Sequence, residues 1–341
     1  MTPQPSALIH VAVAVIRRHG HPEAPVLVAR RAADAHQGGL LELPGGKVEA
    51  GESPQQALCR ELLEELGLVA DPADLTPLIQ VAHDYGDRRV LLDAWTLTVP
   101  DSQPMAQPRG LEGQPLFWLP PESLSDREFP AANRHLLRAI RLPPQLLITG
   151  TAPDNDYSGV LSRSLRARHG PSSGANREGL EKGSGLCLFR APQLGESEYR
   201  RQVPELLAIC QQAGLPLMLH GHPARLDAFP RAAGLHLPWR EARLLSARPV
   251  PASYWLGVSC HDRSELAHAQ SLGADYATLS PVLSTASHPH SPPLGWDTFA
   301  GIVSGATLPV YALGGMTAGE GVTARARGAQ GVAGIGFWWD A

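Results

Sequence analysis

Cysteine is scarce in this chain of 341 residues, and none of its four cysteines stands in a CxxC pair. A structural zinc site or a disulfide framework is therefore not expected. No apolar run reaches the length of a membrane span, and the apolar stretch at 8–16 lacks the flanking sequence of a signal peptide. A cationic excess is also missing, because the formal net charge is -4, so polymeric nucleic acid is not an expected partner. These absences predict a cytoplasmic protein that does not cross a membrane.

Length and composition indicate two globular domains. A hydrophobic content of 43% and a charged content of 18% are typical of folded protein, and 341 residues exceed one ordinary domain. Pro143 and Pro144 mark the predicted joint, which gives domains 1–142 and 145–341. Residues 1–141 hold 13 Lys and Arg against 18 Asp and Glu, a net charge of -5. An acidic domain of this kind needs metal cations if it is to bind a polyphosphate.

The N-terminal part combines predicted strands with one well-marked helix. A glycine-rich segment, 38–51, precedes Ser53, which can cap a helix, and Gln56 completes a Ser-x-x-Gln capping box. Pro54 fits the first helical position and Gly67 fits the C-terminal cap. The apolar stripe predicted for this helix consists of Leu58, Leu62 and Leu66. The predicted strands are 8–16, 26–29, 78–82 and 90–99, and a short closing helix is predicted at 131–141.

After residue 144 the pattern changes to short apolar runs, each followed by a helix-like stretch. This alternation predicts a TIM (β/α)8 barrel, at the small end of the usual size of that fold. A polar stretch rich in glycine and serine, Gly159–Gly183, is predicted to be a mobile loop in the first connection. The eight predicted strands are Leu146–Thr149, Gly185–Phe189, Pro216–Leu219, Gly234–Leu237, Trp255–Ser259, Tyr276–Leu279, Val310–Ala312 and Gly331–Ile335.

Three glutamates carry the strongest chemical signal. Glu61, Glu64 and Glu65 are spaced i, i+3 and i+4 on the predicted helix, which places their carboxylates on one face. Like charges at this spacing repel, but a hard cation such as Mg²⁺ prefers carboxylate and phosphate oxygens and turns the cluster into a binding site. A charge run alone is more often a solvated helix face. The preceding glycine loop, the capped start and Arg60 favour the metal-site interpretation.

The segment from Gly46 to Leu68 resembles the Nudix box, G-x5-E-x7-R-E-U-x-E-E-x-G-U with U apolar, at every defined position. The resemblance implies an α/β/α sandwich with a mixed sheet, which binds Mg²⁺ (or Mn²⁺) and directs water at a nucleoside diphosphate-linked substrate. It also implies that an ion pair joins the loop to the helix and that one glutamate, which varies within the family, activates the water. The implied catalytic residues are Glu52, Arg60, Glu61 and Glu64, with Glu61 the candidate base. The implied metal ligands are the Gly45 carbonyl, Glu61, Glu64 and Glu65.

Further strings resemble the MutT subgroup, which hydrolyses 8-oxo-dGTP in nucleotide pool sanitation and DNA repair. These strings are Arg30–His36, Leu41–Lys47, Glu112–Pro115 and Phe129–Asn133. The resemblance implies that Asn133 reads the oxidised purine, and an amide suits this role because it offers both a donor and an acceptor. It implies that Glu112 adds an acidic metal contact and that Arg31, Leu43 and Arg88 line the nucleotide site. For Arg31 and Arg88 the alternative is that they are surface ion-pair partners only. Leu43 replaces an aromatic residue of the subgroup, which predicts weaker stacking on the base.

The C-terminal part resembles the thiamine-phosphate synthase/TenI barrel family over most of 145–337, through strings such as Gly257–His261 and Tyr311–Met316. Several charged residues of the family are missing here. Only Arg190 remains of the basic strand that binds pyrophosphate in the family, and His220-Gly221-His222 replaces an Asn-Asp pair. Such charges stabilise the family's reaction, so a degenerate or divergent activity is expected. Phosphate binding by backbone N–H groups is implied after the last two strands, at Gly314, Gly315, Gly334 and Gly336.

Two histidine pairs, His220/His222 and His288/His290, invite a metal hypothesis. Because no carboxylate partner is evident beside either pair, they are interpreted as ordinary surface histidines.

Three functional hypotheses stay open at this point. The first is a MutT-type pyrophosphohydrolase for 8-oxo-(d)GTP, joined to a divergent barrel that binds a phosphorylated small ligand. The second is a bifunctional thiamine-pathway enzyme, whose Nudix half hydrolyses thiamin pyrophosphate analogues and whose barrel binds thiazole phosphate. In the third, the barrel only senses a phosphate ligand or serves as a docking module. The Phe129–Asn133 string favours the first hypothesis, and the fusion itself favours the second.

Overall fold

A computed structural model of the chain describes residues 8–18, 23–33, 37–86, 88–99, 108–169, 185–285 and 292–339. The chain divides into two compact units, Met1–Arg141 and Leu142–Ala341, and each is built around its own hydrophobic core. No helix within the described ranges is both long enough and apolar enough to cross a membrane.

The N-terminal unit contains a mixed seven-stranded sheet. Its strands are β1 (Leu8–Arg18), β2 (Val26–Arg30), β3 (Leu41–Glu42), β4 (Gly45–Lys47), β5 (Thr76–Asp84), β6 (Arg89–Val99) and β7 (Leu116–Leu119). The order is β3-β2-β1-β6-β5, with β4 paired to β1 and β7 paired to β2. β1 and β6 run parallel, whereas β1 pairs with β2 and β4 in the antiparallel sense. The predicted mixed sheet is confirmed.

Each face of this sheet is covered by one helix. Along β1, alternate residues point to opposite faces, so that Ala12 and Ala14 pack with α1 (Pro54–Leu66) while Val13 and Val15 pack with α2 (Arg134–Arg141). The closing helix predicted at 131–141 begins as a 3-10 turn over Ala131–Asn133 before α2. The fully buried stripe of α1 contains Leu58, Leu62 and Leu66, as predicted from their spacing.

Helix α1 begins and ends where its capping residues predict. Ser53 Oγ accepts a hydrogen bond from the Gln56 N–H at 3.2 Å, and Gln56 Oε1 accepts one from the Ser53 N–H at 2.8 Å. Gly67 adopts the left-handed conformation with φ 65°, and its N–H donates to the Leu63 carbonyl at 3.0 Å. The predicted capping box is confirmed and sets where the helix begins, while the buried stripe of Leu58, Leu62 and Leu66 sets which face turns away from the core.

The C-terminal unit is a closed barrel of eight parallel strands, as predicted. Its strands are β8 (Gln145–Ile148), β9 (Gly185–Phe189), β10 (Leu217–His220), β11 (Gly234–Leu237), β12 (Trp255–Cys260), β13 (Tyr276–Leu279), β14 (Val310–Leu313) and β15 (Gly331–Gly334). The helices around it are α3 (Tyr157–His169), α4 (Glu196–Gln212), α5 (Ala224–Ala228), α6 (Trp239–Ala242), α7 (Arg263–Ser271), α8 (Gly295–Val303) and α9 (Gly321–Ala326).

The structure differs from the sequence prediction in the first barrel connection. The stretch predicted as a loop, Gly159–Gly183, is helical in its first part, because α3 covers Tyr157–His169. Asp156 stabilises the start of α3 by accepting a hydrogen bond from the Gly159 N–H at 2.8 Å. The rest of the predicted loop, 170–183, lies outside the described residues.

Candidate functional site

The glycine loop brings the backbone of β4 close to helix α1. Gly45 has a φ of 137°, and a Cβ at this position would lie 2.2 Å from the Ala12 carbonyl oxygen, so only glycine fits. At Gly46 the carboxylate of Glu61 occupies the space of a side chain, since an added Cβ would lie 2.2 Å from its carboxyl carbon. The loop therefore places a carboxylate of α1 directly against the backbone.

Arg60 ties the loop to the helix. Its Nε and Nη2 donate to the two carboxylate oxygens of Glu52 at 2.9 and 3.1 Å, and Nη2 also donates to the Lys47 carbonyl at 3.1 Å. Nη1 donates to Glu61 Oε1 at 2.8 Å and lies 3.5 Å from Glu64 Oε2. The hydrogen bonds from Arg60 hold the pKa of Glu52 below its usual value. Arg60 thus fixes one end of the carboxylate set while leaving the more exposed Glu64 loosely held.

Among the three glutamates of α1, Glu65 is the one with a strongly raised pKa. Its Oε2 accepts a hydrogen bond from the Gly45 N–H at 3.2 Å. The pKa of Glu65 is raised to about 7, mainly by burial and in addition by the charges of Glu61, Glu42 and Glu112, against the opposing effect of the Gly45 hydrogen bond. Three other acidic side chains thus lie within electrostatic reach of Glu65, an arrangement that a bound cation would stabilise.

Because Glu65 ionises near neutral pH, we expect the stability of the protein to depend on pH when no divalent cation is present. The pKa of Glu65 in the folded protein lies above its unfolded value of 4.5, so the folded state favours the protonated side chain. The contribution of Glu65 to the free energy of unfolding is therefore complete below pH 4.5 and is lost as the pH rises through about 7. Because the side chain is partly exposed, we expect a loss of roughly 1–2 kcal/mol.

Urea unfolding in EDTA measures this loss as the difference between the wild type and Glu65→Gln at about pH 5.5 and about pH 8. The wild type should weaken relative to the variant at the higher pH, and added Mg²⁺ should oppose the change. A constant difference across this range would contradict the assignment.

Glu112 and Glu42 approach the set from outside the helix. The loop that carries Glu112 is held to the end of α1, because Gln114 Nε2 donates to the Glu65 carbonyl at 3.0 Å and Gln114 Oε1 accepts from the Glu112 N–H at 2.9 Å. Glu42, on β3, forms an ion pair with Arg31. Sequence reasoning missed Glu42, although its place between the buried Leu41 and Leu43 indicated that it points away from the core.

The donor set fits a divalent cation by its chemistry. Carboxylates and a backbone carbonyl are the hard oxygen ligands that Mg²⁺ prefers. Among the described residues, no three His, Cys, Asp or Glu side chains already form a closed cation site. Such a closed site is not required, because Mg²⁺ usually keeps several waters and takes only one or two carboxylates together with substrate phosphates.

Two of the residues predicted to contact the nucleotide lie on the face of the sheet that α2 covers. Asn133 is 8% exposed and lies in the 3-10 turn before α2, next to the buried Phe129 and Ala132. Leu43 belongs to the core cluster of those two neighbours, so it is itself a packed core residue. Arg88 lies in the turn between β5 and β6, where its carbonyl accepts from the Tyr85 N–H at 2.9 Å. Asn133 and Leu43 thus share the α2 face, whereas the carboxylates extend from the α1 face.

In the barrel unit, the predicted glycines lie at the carboxyl ends of the last two strands. Gly314 and Gly315 follow β14 with φ values of 98° and 70°, and a Cβ on Gly314 would lie 2.8 Å from the Cα of Pro281. Gly334 ends β15 and Gly336 follows it. This edge of the barrel is where backbone N–H groups of TIM barrels commonly bind phosphate.

The histidines of the barrel correct one sequence interpretation. His220 is half-buried rather than an exposed surface residue: it ends β10, and its ring is stacked on that of the buried His236 at a centroid distance of 6.0 Å. Burial lowers the pKa of both imidazoles well below the usual value, and the charge of Arg190 adds to the effect. His222 is exposed, and His288 and His290 lie outside the described residues. A neutral imidazole at His220 cannot supply the negative charge of the Asn-Asp pair that it replaces.

Two family models match the chain in separate places. Residues 12–139 match the model described as NUDIX domain, and residues 169–336 match the model described as Thiamine monophosphate synthase. Both resemblances predicted from the sequence are confirmed.

Curated relatives match each half over most of their own length. The 8-oxo-dGTP diphosphatase of Escherichia coli (strain K12) is 35% identical over 133 residues, which are 39% of this chain and 96% of that protein. The CTP pyrophosphohydrolase of the same strain is 39% identical over 132 residues, 39% of this chain and 90% of that protein. The putative thiamine-phosphate synthase 2 of Aquifex aeolicus (strain VF5) is 30% identical over 163 residues, 47% of this chain and 86% of that protein.

Proposed function

The chain belongs to the Nudix family through its N-terminal unit and to the thiamine monophosphate synthase family through its C-terminal unit, and from this premise we propose that it hydrolyses 8-oxo-(d)GTP to 8-oxo-(d)GMP and pyrophosphate. Family membership makes the N-terminal unit a hydrolase of phosphorus-containing anhydrides. The choice of substrate rests on Asn133, a buried amide in the Phe129–Asn133 string. It is supported by the 35% identity of this unit to an 8-oxo-dGTP diphosphatase.

The acidic residues of the N-terminal unit would hold Mg²⁺ (or Mn²⁺). The Gly45 carbonyl, Glu61, Glu64, Glu65 and Glu112 provide oxygen donors of the hardness that these ions prefer. When bound, the ion neutralises phosphate charge and orients the polyphosphate. The Gly45 N–H and Arg60 then serve to keep Glu65 and Glu61 in place, through the hydrogen bonds of 3.2 and 2.8 Å.

Glu61 is the proposed general base. The carboxylate lies against Gly46 and is held by Arg60, so it faces the loop in a fixed position. In the proposed reaction it takes a proton from water while the water oxygen bonds to one phosphorus of the α,β-linkage. The bond from that phosphorus to the bridging oxygen breaks, which leaves the monophosphate and pyrophosphate. Glu52 and Arg60 act by holding the loop and helix together.

A second candidate function rests on the match of residues 169–336 to the thiamine monophosphate synthase model. In this alternative the N-terminal unit hydrolyses thiamin pyrophosphate analogues and the barrel binds thiazole phosphate. In both functions the barrel would bind a phosphorylated small ligand at Gly314, Gly315, Gly334 and Gly336. His220 argues for an activity that is degenerate or divergent from synthase chemistry, since an imidazole nitrogen suits a hard cation such as Mg²⁺ less well than a carboxylate oxygen does.

Pyrophosphate release with Mg²⁺ tests the proposal when 8-oxo-dGTP, dGTP, CTP and oxidised thiamin pyrophosphate are compared side by side. We expect the highest kcat/KM for 8-oxo-dGTP. Preference for the thiamin analogue would place both units in one pathway and remove the assigned role of Asn133. Preference for CTP would agree with the proposed type of reaction but contradict the proposed substrate.

A further inference from the structure

One hydroxyl inside the barrel, that of Thr278, has no partner. Thr278 lies on β13 and is fully buried. On this strand Ala277 and Leu279 pack in the core between the strands and the helices, whereas Tyr276 packs with other strand residues inside the barrel. Because side chains alternate along a strand, Thr278 also points into the barrel. Its Oγ1 has no hydrogen-bond partner within the described part of the chain.

The polar side chains around Thr278 are satisfied, unlike Thr278 itself. Ser259 stands opposite it on β12, and Ser259 Oγ lies 2.9 Å from Nε2 of His236. The other ring nitrogen of His236, Nδ1, lies 3.1 Å from the hydroxyl of Tyr276. On the other side of Thr278 stands Tyr311, whose hydroxyl donates to a backbone carbonyl at 2.6 Å. These four side chains therefore form their hydrogen bonds without Thr278.

A buried hydroxyl without a partner lowers the stability of the fold, because it loses its hydrogen bonds to water and gains none in the protein. Valine has nearly the same shape and would fill this position without that cost. The packing of the barrel therefore does not explain Thr278, whereas a bound molecule that hydrogen-bonds to it does. A threonine hydroxyl offers such a molecule one donor and two acceptor lone pairs.

The side chains around Thr278 are uncharged. Burial lowers the pKa of His236 to about 3, so its imidazole is neutral at physiological pH. Burial also raises the pKa of Tyr276 and of Tyr311 above the usual value, so both phenols stay protonated. An ionised ligand group beside Thr278 would be buried without an opposite charge, which is costly. The ligand group that contacts Thr278 is therefore expected to be neutral.

A positive charge lies at the carboxyl end of the strands. Arg190 directly follows β9, and its charge acts on the rings of His220 and His236. Its backbone is held by Thr149, whose hydroxyl accepts from the Arg190 N–H at 2.9 Å and donates to the Arg190 carbonyl at 2.8 Å. An anionic group of a ligand is therefore stabilised at this end, and a neutral group is stabilised deeper in the barrel, at Thr278.

We propose that Thr278 is a ligand-binding residue that determines specificity in the barrel: its hydroxyl donates to an uncharged acceptor, such as a ring nitrogen or a hydroxyl, in a small phosphorylated molecule. This inference rests on the part of the proposed function that gives the barrel a phosphorylated ligand. It adds the orientation of that ligand, with the phosphate at the carboxyl end of the strands and the neutral group inside. Thr278 would thereby select among phosphate monoesters by the group opposite the phosphate.

Calorimetric binding to the full chain tests this contact with benzyl phosphate and the isomers of pyridylmethyl phosphate. The isomers share the shape of benzyl phosphate but carry one uncharged ring nitrogen at about pH 8, and EDTA keeps cations from the acidic site of the N-terminal unit. We expect at least one isomer to bind about fivefold more tightly than benzyl phosphate, as one neutral hydrogen bond predicts. Thr278→Val should remove this preference and leave the affinity for benzyl phosphate within about twofold.

The melting temperature separates a ligand contact from a structural role. Thr278→Val should raise it by about 2–4 °C, because the variant removes an unpaired buried hydroxyl. Thr149→Val is the matched control for stability. Thr149 is also buried, but its hydroxyl has two hydrogen bonds to Arg190, so this substitution should lower the melting temperature.

Retention of the isomer preference in Thr278→Val would overturn the proposal. Equal binding of benzyl phosphate and every isomer by the wild type would also overturn it, and this is the result expected if only water contacts the hydroxyl. A lower melting temperature in Thr278→Val would show that the hydroxyl has a structural partner and would contradict the proposal as well. If neither these probes nor inorganic phosphate bind, the phosphate-binding role of the barrel fails together with the role of Thr278. Failure to hydrolyse 8-oxo-dGTP would leave these binding results unaffected.

Discussion

Replacement of Glu61 by glutamine should reduce kcat by about a thousandfold or more while the protein stays folded, since general-base catalysis typically contributes 10²–10⁴-fold. Glutamine keeps the size of the side chain, and its amide oxygen can still accept from Arg60 Nη1, as the carboxylate does at 2.8 Å. What the variant loses is the negative charge and the ability to take a proton from water. A loss of rate without a loss of fold is therefore the expected signature.

Two measurements and two comparison variants make this test specific. Single-turnover hydrolysis of 8-oxo-dGTP reports the chemical step, and the melting temperature reports the fold. Glu122→Gln is the matched control, because Glu122 is an exposed glutamate in the short helix Pro121–Ser123 and should tolerate the same change. Glu64→Gln should cost less than Glu61→Gln, since Glu64 is 58% exposed and lies 3.5 Å from Arg60. A larger loss of kcat in Glu64→Gln would identify Glu64 as the general base instead. Near-normal turnover in Glu61→Gln would show that Glu61 has no catalytic role.

The parts of this structure that could be predicted from sequence are those set by neighbours along the chain. The capping box of Ser53 and Gln56 and the C-terminal Gly67 depend on residues within a few positions, and they set the two ends of α1. The barrel strands could be predicted because each is a short apolar run in a repeating pattern, although single residues at their ends shifted.

The parts that could not be predicted depend on contacts between distant segments. Glu42 meets Arg31 across two strands, and the register of those strands is not encoded in the order of residues around either one. His220 was wrongly interpreted as an exposed histidine because its place beside His236 depends on the pairing of β10 with β11, which the residues around it do not reveal. Helix α3 is a different case, since Tyr157, Val160, Leu161 and Leu165 are buried at helical spacing. That period was present in the sequence, and the surrounding glycine and serine residues concealed it.

Replacement of Asn133 by alanine should remove selectivity for the oxidised purine. An amide that both donates to and accepts from a base edge contributes about 1–3 kcal/mol of discrimination, so kcat/KM for 8-oxo-dGTP should fall by roughly ten- to a hundredfold. The value for dGTP should fall much less, because dGTP lacks the oxidised edge that the amide is proposed to read. The measurement is the ratio of the two kcat/KM values, compared between the wild type and the variant.

The burial of Asn133 makes a structural role the main competing explanation. The residue is 8% exposed in the turn before α2, and its N–H donates to the Pro130 carbonyl at 2.9 Å, a contact that alanine retains. Loss of a structural amide would lower the melting temperature and reduce activity on both purines together, whereas loss of a reading amide changes their ratio. Asn133→Asp separates the two further, since a carboxylate keeps the acceptor and loses the donor. If the ratio of kcat/KM for 8-oxo-dGTP to that for dGTP in Asn133→Asp lies between the wild-type and alanine values, both the donor and the acceptor of the amide contact the base. An equal loss for both purines would show that Asn133 only supports the fold.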